Sequence, residues 1–124
     1  MTTSQPAKHP TSLEALRDAL RQFAAERDWD QFHTPKNLAT ALSVEVAELL
    51  EHFQWLTPEQ SQRMTTAQLA AIRLELADVL LYLIRLSDRL GVDLLVAAVD
   101  KMAINAKKYP VDLAKGTAKK YTEL

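Results

Sequence analysis

Residues 75–86 read ELADVLLYLIRL, an apolar run headed by two acids and lacking the alternation that a half-buried strand needs. Read as a helix at 100° per residue, it sets Glu75 among Val79, Tyr82 and Leu86, so a carboxylate points into apolar surroundings. The same helix extends to about Ala67 on one side, where Thr65 and Gln68 make a capping pair, and to Leu90 on the other, where Gly91 supplies the C′ position. Leu74, Leu76, Val79, Leu80, Leu81, Leu83, Ile84 and Leu86 leave it apolar on almost every side. A small monomeric bundle buries only one face of such a helix, so a second subunit is expected to cover the rest.

Working outward, an earlier run, EVAELLEHFQW at 45–55, repeats the arrangement, with Glu45 among Leu38, Leu42 and Leu49. Thr34 caps and Pro35 starts this helix, which is expected to run to about Trp55. A first helix follows a capping box at Thr11 and Glu14 and carries Leu13, Leu16, Leu20, Phe23 and Ala24 to about Arg27. Thr57-Pro58-Glu59-Gln60 predicts a short extra helix, and a last helix spans Asp93 to Lys108, stopping before Pro110. The fold class is therefore all-α, a four-helix bundle with a short extra helix. Residues 1–10, with two prolines and polar side chains, read as a flexible tail, and 11–124 as one domain.

Composition removes several function classes. Fifteen basic against 16 acidic residues, a net charge of −1, give no excess for a nucleic-acid backbone, and no polymer partner is expected. The chain has no cysteine, which excludes disulfides and thiolate chemistry and fits a cytoplasmic location. Neither a signal peptide nor a membrane span is expected.

The chemistry lies in two matched acidic pairs, Glu45 with Glu48 and Glu75 with Asp78. Residues three apart on a helix are about 5–6 Å apart, so each pair brings like charges together, and no Lys or Arg stands a helical turn away to answer them. A carboxylate turned inward without a counter-charge needs a proton, a partner or a metal. Four oxygen donors without Cys or His suit Mg²⁺, or Mn²⁺ in its place, rather than zinc. A di-iron site wants Glu-x-x-His on two helices, and three residues after the four acids stand Glu48, Glu51, Asp78 and Leu81 instead.

Lys101, Asn105 and Lys108 form one polar stripe on the last helix, which suits phosphate oxygens but also suits solvent near a helix C-terminus. Trp29, Trp55 and Tyr82 offer flat faces for a nucleobase, and His33 a donor beside them, although most aromatics in a small domain are core. A rival reading makes the molecule a non-catalytic nucleotide-binding or scaffolding bundle whose acids pair with Arg73, Arg85 or Arg89 of a neighbouring subunit.

The strings FAAERDWDQFH (23–33), PKNLATALSVEVAELLEHFQW (35–55), ELADVLLYLIRL (75–86), KMAINAKKYP (101–110) and KYTEL (120–124) resemble the all-alpha nucleoside triphosphate pyrophosphohydrolases of the MazG-like superfamily, the dCTP pyrophosphatase branch in particular. That resemblance implies a MazG fold and Mg²⁺-dependent cleavage of a nucleoside triphosphate, dCTP or a modified dCTP, to the monophosphate and pyrophosphate. It implies metal ligation by Glu45, Glu48, Glu75 and Asp78, phosphate contacts from Lys101, Asn105 and Lys108 with Tyr109 nearby, and base contacts from Trp29 and Trp55 with His33 and Tyr82 lining the pocket. It also implies a homodimer or homotetramer. Either Glu45 or Glu48 would take the proton of the attacking water. The first helix departs from the pattern, with Leu20 where animal relatives carry a histidine.

Overall fold

The computed structural model describes residues 9–124, and the described part is all helical. The expected tail at 1–10 lies largely outside the described residues; His9 and Pro10 are exposed and without regular structure. Two compact units are present, the first ending at Gly91 and the second running Val92–Leu124.

The first unit holds α1 (Leu13–Glu26), α2 (Pro35–Glu51), the short α3 (Pro58–Ser61) and the long α4 (Thr66–Arg89). Each start is written in the local sequence. The Thr34 hydroxyl accepts from the Asn37 amide with Pro35 in the first turn, and Thr57 with Gln60 and Thr65 with Gln68 form reciprocal capping boxes. The start of α1 needs correction: Ser12, not Thr11, is the cap, accepting from the Ala15 amide at 3.0 Å. Helix α2 is also shorter than expected, because the chain leaves it at His52 and passes through turns before Thr57.

Helices α2 and α4 make the principal packing of this unit, and α1 lies against α4. Leu38 of α2, 1% exposed, and Ile72 and Ile84 of α4 are buried, as is Ala24 of α1. An ion pair ties α1 to α4: the Arg21 guanidinium donates through Nε and a terminal nitrogen to the two Asp88 oxygens, at 2.7 and 2.5 Å. Gly91, at φ +69°, ends α4 in the left-handed region that only glycine enters cheaply.

In the second unit α5 spans Leu94–Lys108 behind an Asp93 cap, and α6 (Val111–Ala114) and a 3₁₀ turn (Tyr121–Glu123) follow. Tyr121 returns to the end of α5, edge-on to Tyr109 at 6.0 Å and beneath the Lys108 ammonium at 4.7 Å.

Candidate active site

Helical phase places the acids. On α2, Leu38, Leu42, Glu45, Glu48 and Leu49 fall on one arc, and on α4 Glu75, Asp78, Tyr82 and Arg85 fall on another. Packing α2 against α4 brings ligand oxygens of Glu45, Glu48 and Glu75 within 4.8 Å of one another. Asp78 lies outside that group, although its charge acts on Glu45 and it lines the neighbouring cavity.

The electrostatics of the cluster are unresolved within the chain. Burial, then hydrogen bonding with the Glu48 carboxyl, then the charges of Glu48, Asp78 and Glu75, push the Glu45 carboxyl up to about 7. Glu45 Oε2 and Glu75 Oε2 are buried with no hydrogen-bond partner among the described residues. The nearest basic group is the His52 imidazole, whose Nε2 is 3.8 Å from Glu75 Oε1. Two buried acceptors without donors, in a group of three carboxylates, fit a hard divalent cation. The arginines do not answer the acids within the chain: Arg85 goes to Asp30 and Arg89 donates from Nε to the His33 carbonyl at 3.1 Å.

Beside the acids lies a cavity of about 230 Å³, lined by Leu20, Trp29, His33, Asp78, Tyr82 and Arg85 among others. Pockets that enclose whole drug-sized ligands run about 300–1,000 Å³, so this one suits a single ring system. Its wall is built by the α1–α2 connection. Asp28, at φ +53°, turns the chain so that the Trp29 amide donates to the Ala24 carbonyl at 2.9 Å and the His33 amide to the Trp29 carbonyl at 3.1 Å. Trp29 then stands edge-on to Phe23 at 5.7 Å and 6.0 Å from the His33 ring.

Of the positions singled out above, Trp29, His33, Tyr82 and Asp78 share this cavity, and Glu45, Glu48 and Glu75 form the adjoining cluster. Trp55 joins neither; it is 86% exposed, beyond the C-terminus of α2. Lys101, Asn105 and Lys108 lie on α5 in the second unit, with Tyr109 at its C-cap against Tyr121. One charged lining residue was overlooked as a site residue by sequence reasoning: Arg85, 5% exposed, whose Nε donates to His33 Nδ1 at 3.1 Å and whose terminal nitrogen donates to Asp30. The available signal was its phase, three residues after Tyr82 and seven after Asp78 on the same face of α4.

The MazG-like family profile matches residues 40–124. The chain is 49% identical to human dCTP pyrophosphatase 1 over 115 residues, 91% of this chain and 68% of that protein. The bovine dCTP pyrophosphatase 1 is 48% identical over 120 residues, 95% of this chain and 70% of the relative. Among solved structures, a pyrophosphatase from Archaeoglobus fulgidus superposes with a TM-score of 0.76 at 40% identity, covering 86% of this chain and 99% of that one.

Proposed function

The chain belongs to the MazG-like family, and from that membership and its acidic cleft we propose that it hydrolyses a nucleoside triphosphate, dCTP or a modified dCTP, to the monophosphate and pyrophosphate. The observation that carries the reading is the convergence of Glu45, Glu48 and Glu75 beside an aromatic cavity of base-sized volume. In this reading residues 11–124 act as one MazG-like domain, since the family match runs from 40 to 124 and so continues past Gly91.

Glu45, Glu48, Glu75 and Asp78 would hold magnesium, with manganese as a substitute. When bound there, the ion supplies positive charge against the polyphosphate and a hard Lewis acid at the reacting phosphate. The chain's own groups do the rest. Trp29 and Tyr82 hold the base between flat faces, and His33 donates to its edge. Trp55, exposed at the end of α2, contacts the base from outside the cavity. Lys101, Asn105 and Lys108, with Tyr109 beside them, bind phosphate oxygens. Glu45 or Glu48 accepts the proton of the attacking water.

The assembly in this reading is a homodimer or homotetramer. Leu69, Leu76, Leu80 and Leu83 are exposed on α4 and, at 100° per residue, fall within one narrow stripe opposite the acidic face. Their spacing of seven, four and three residues is the pattern of helices that pair with one another.

A panel of canonical and modified nucleoside triphosphates with Mg²⁺, scored for pyrophosphate and for orthophosphate, tests the reaction. Pyrophosphate release with preference for cytosine nucleotides is expected, and EDTA is expected to abolish it. Orthophosphate as the sole inorganic product overturns the reading.

A further inference from the structure

Arg85 is a charged side chain buried in the wall of the cavity, and the chemistry above leaves it without a role. Its own charge is met by Asp30, to which a terminal nitrogen donates, and by Asp88, 3.9 Å from the other terminal nitrogen. Asp88 is in turn held by Arg21. The Nε of Arg85 is thereby fixed, and it donates to His33 Nδ1 at 3.1 Å. One helical turn on, Arg89 holds the His33 carbonyl at 3.1 Å, so this histidine is gripped at its backbone and its ring from one face of α4.

A guanidinium has donors and no acceptor. The imidazole nitrogen that faces it must therefore present a lone pair, and the proton of the neutral ring must sit on the other nitrogen. That nitrogen, Nε2, has no hydrogen-bond partner among the described residues, and the ring lines the cavity beside Trp29.

We infer that Arg85 is a positioning residue that holds His33 as the neutral Nε2–H tautomer, giving the cavity a fixed N–H donor that selects a base offering a lone pair at N3, as cytosine does, over one carrying N3–H, as uracil and thymine do. The inference rests on the proposal that this cavity takes the base. Burial and then the Arg85 charge, with a smaller contribution from Arg89, hold the His33 imidazole below its ordinary range, opposed by Asp30. The Arg85 contact that chooses the tautomer thus also disfavours the protonated ring.

The test combines a spectrum with a substrate pair, both on the full chain. Long-range ¹H–¹⁵N correlation of histidine-labelled protein, with the His33 signals assigned by their loss in His33→Gln, reads the tautomer without turnover. In the wild type a pyridine-type Nδ1 and a pyrrole-type Nε2 are expected, in one form. In Arg85→Met the two tautomers should mix, and the preference for dCTP over dUTP in kcat/KM should fall about tenfold, roughly the worth of one hydrogen bond. A protonated Nδ1 or a mixture in the wild type overturns the inference even if Arg85→Met does not fold. An Arg85→Met protein with unchanged spectrum and unchanged dCTP preference overturns it as well. If neither nucleotide is hydrolysed the hydrolase reading fails, and the wild-type spectrum still decides the tautomer. Hydrolysis of dCTP with the wrong tautomer sinks the inference alone.

Discussion

Among the described residues the Glu45 carboxyl is pushed furthest from its ordinary range, and the sign of that shift is testable. A carboxyl raised from an ordinary 4.5 to about 7 binds its proton more tightly in the folded protein than in the unfolded one. The stability that this proton provides is complete below about pH 4.5 and is lost as the pH rises through about 7. In EDTA the melting temperature is therefore expected to fall between those limits, with Mg²⁺ restoring more of it at pH 8 than at pH 5. A metal effect independent of pH would contradict this. Glu48 acts on the Glu45 carboxyl and belongs to the same oxygen cluster, so Glu48→Gln is expected to abolish hydrolysis while leaving helicity by circular dichroism unchanged. Turnover within about tenfold of wild type would remove Glu48 from the machinery, since deleting a group that acts at the reacting centre costs about 10²-fold or more.

At the scale of the helix, α4 is a partition. Glu75, Asp78, Tyr82, Arg85 and Arg89 share one face, and the leucine stripe occupies the other. The caps of α2, α3 and α4, the span of α4 and the two acidic pairs were legible in the sequence because each depends on neighbours three or four residues away. Three of the four acids meet as their phase implies. What sequence reasoning lacked is contact across long separations. Arg85 and Arg21 reach Asp30 and Asp88 from 55 and 67 residues away, and no local pattern announces either pair. The end of α2 was misjudged for a different reason: nothing local to His52 forbids a further turn, and Trp55 leaves the helix without a proline or glycine to announce it. The Arg21–Asp88 pair ties α1 to α4, and the Arg21 guanidinium holds the Asp88 carboxyl below the usual carboxylate range. Its contribution is therefore complete above that range and is lost as pH falls through the lowered value. Asp88→Asn is expected to cost about 1–3 kcal/mol at pH 7 by urea denaturation, with the difference from wild type shrinking in acid. Gly91→Ala is expected to cost about 1–2 kcal/mol, because a Cβ there meets no atom within 4 Å and only the left-handed backbone is penalised.

For the molecule as a whole, exposed apolar surface is the dominant unsolved energy. Leu74 is 65% exposed on α4 and Met102 71% exposed on α5, in addition to the stripe of Leu69, Leu76, Leu80 and Leu83. A leucine side chain fully removed from water contributes about 1.5–3 kcal/mol, so covering the four stripe leucines, which are 36–54% exposed, contributes roughly 3–5 kcal/mol, a sizeable share of the stability of a small domain. Monomers seldom leave such a patch open. Sedimentation equilibrium is expected to find a dimer or tetramer at micromolar concentration. Replacing Leu76 and Leu80 together by Glu places charge in the middle of the stripe while leaving Glu75, Asp78 and Tyr82 on the opposite face. That double variant is expected to dissociate and to melt at lower temperature, with its midpoint no longer dependent on protein concentration. A wild-type protein that sediments as a monomer with a concentration-independent midpoint would show that the stripe is covered by something other than a second copy, and the assembly proposed here would be wrong.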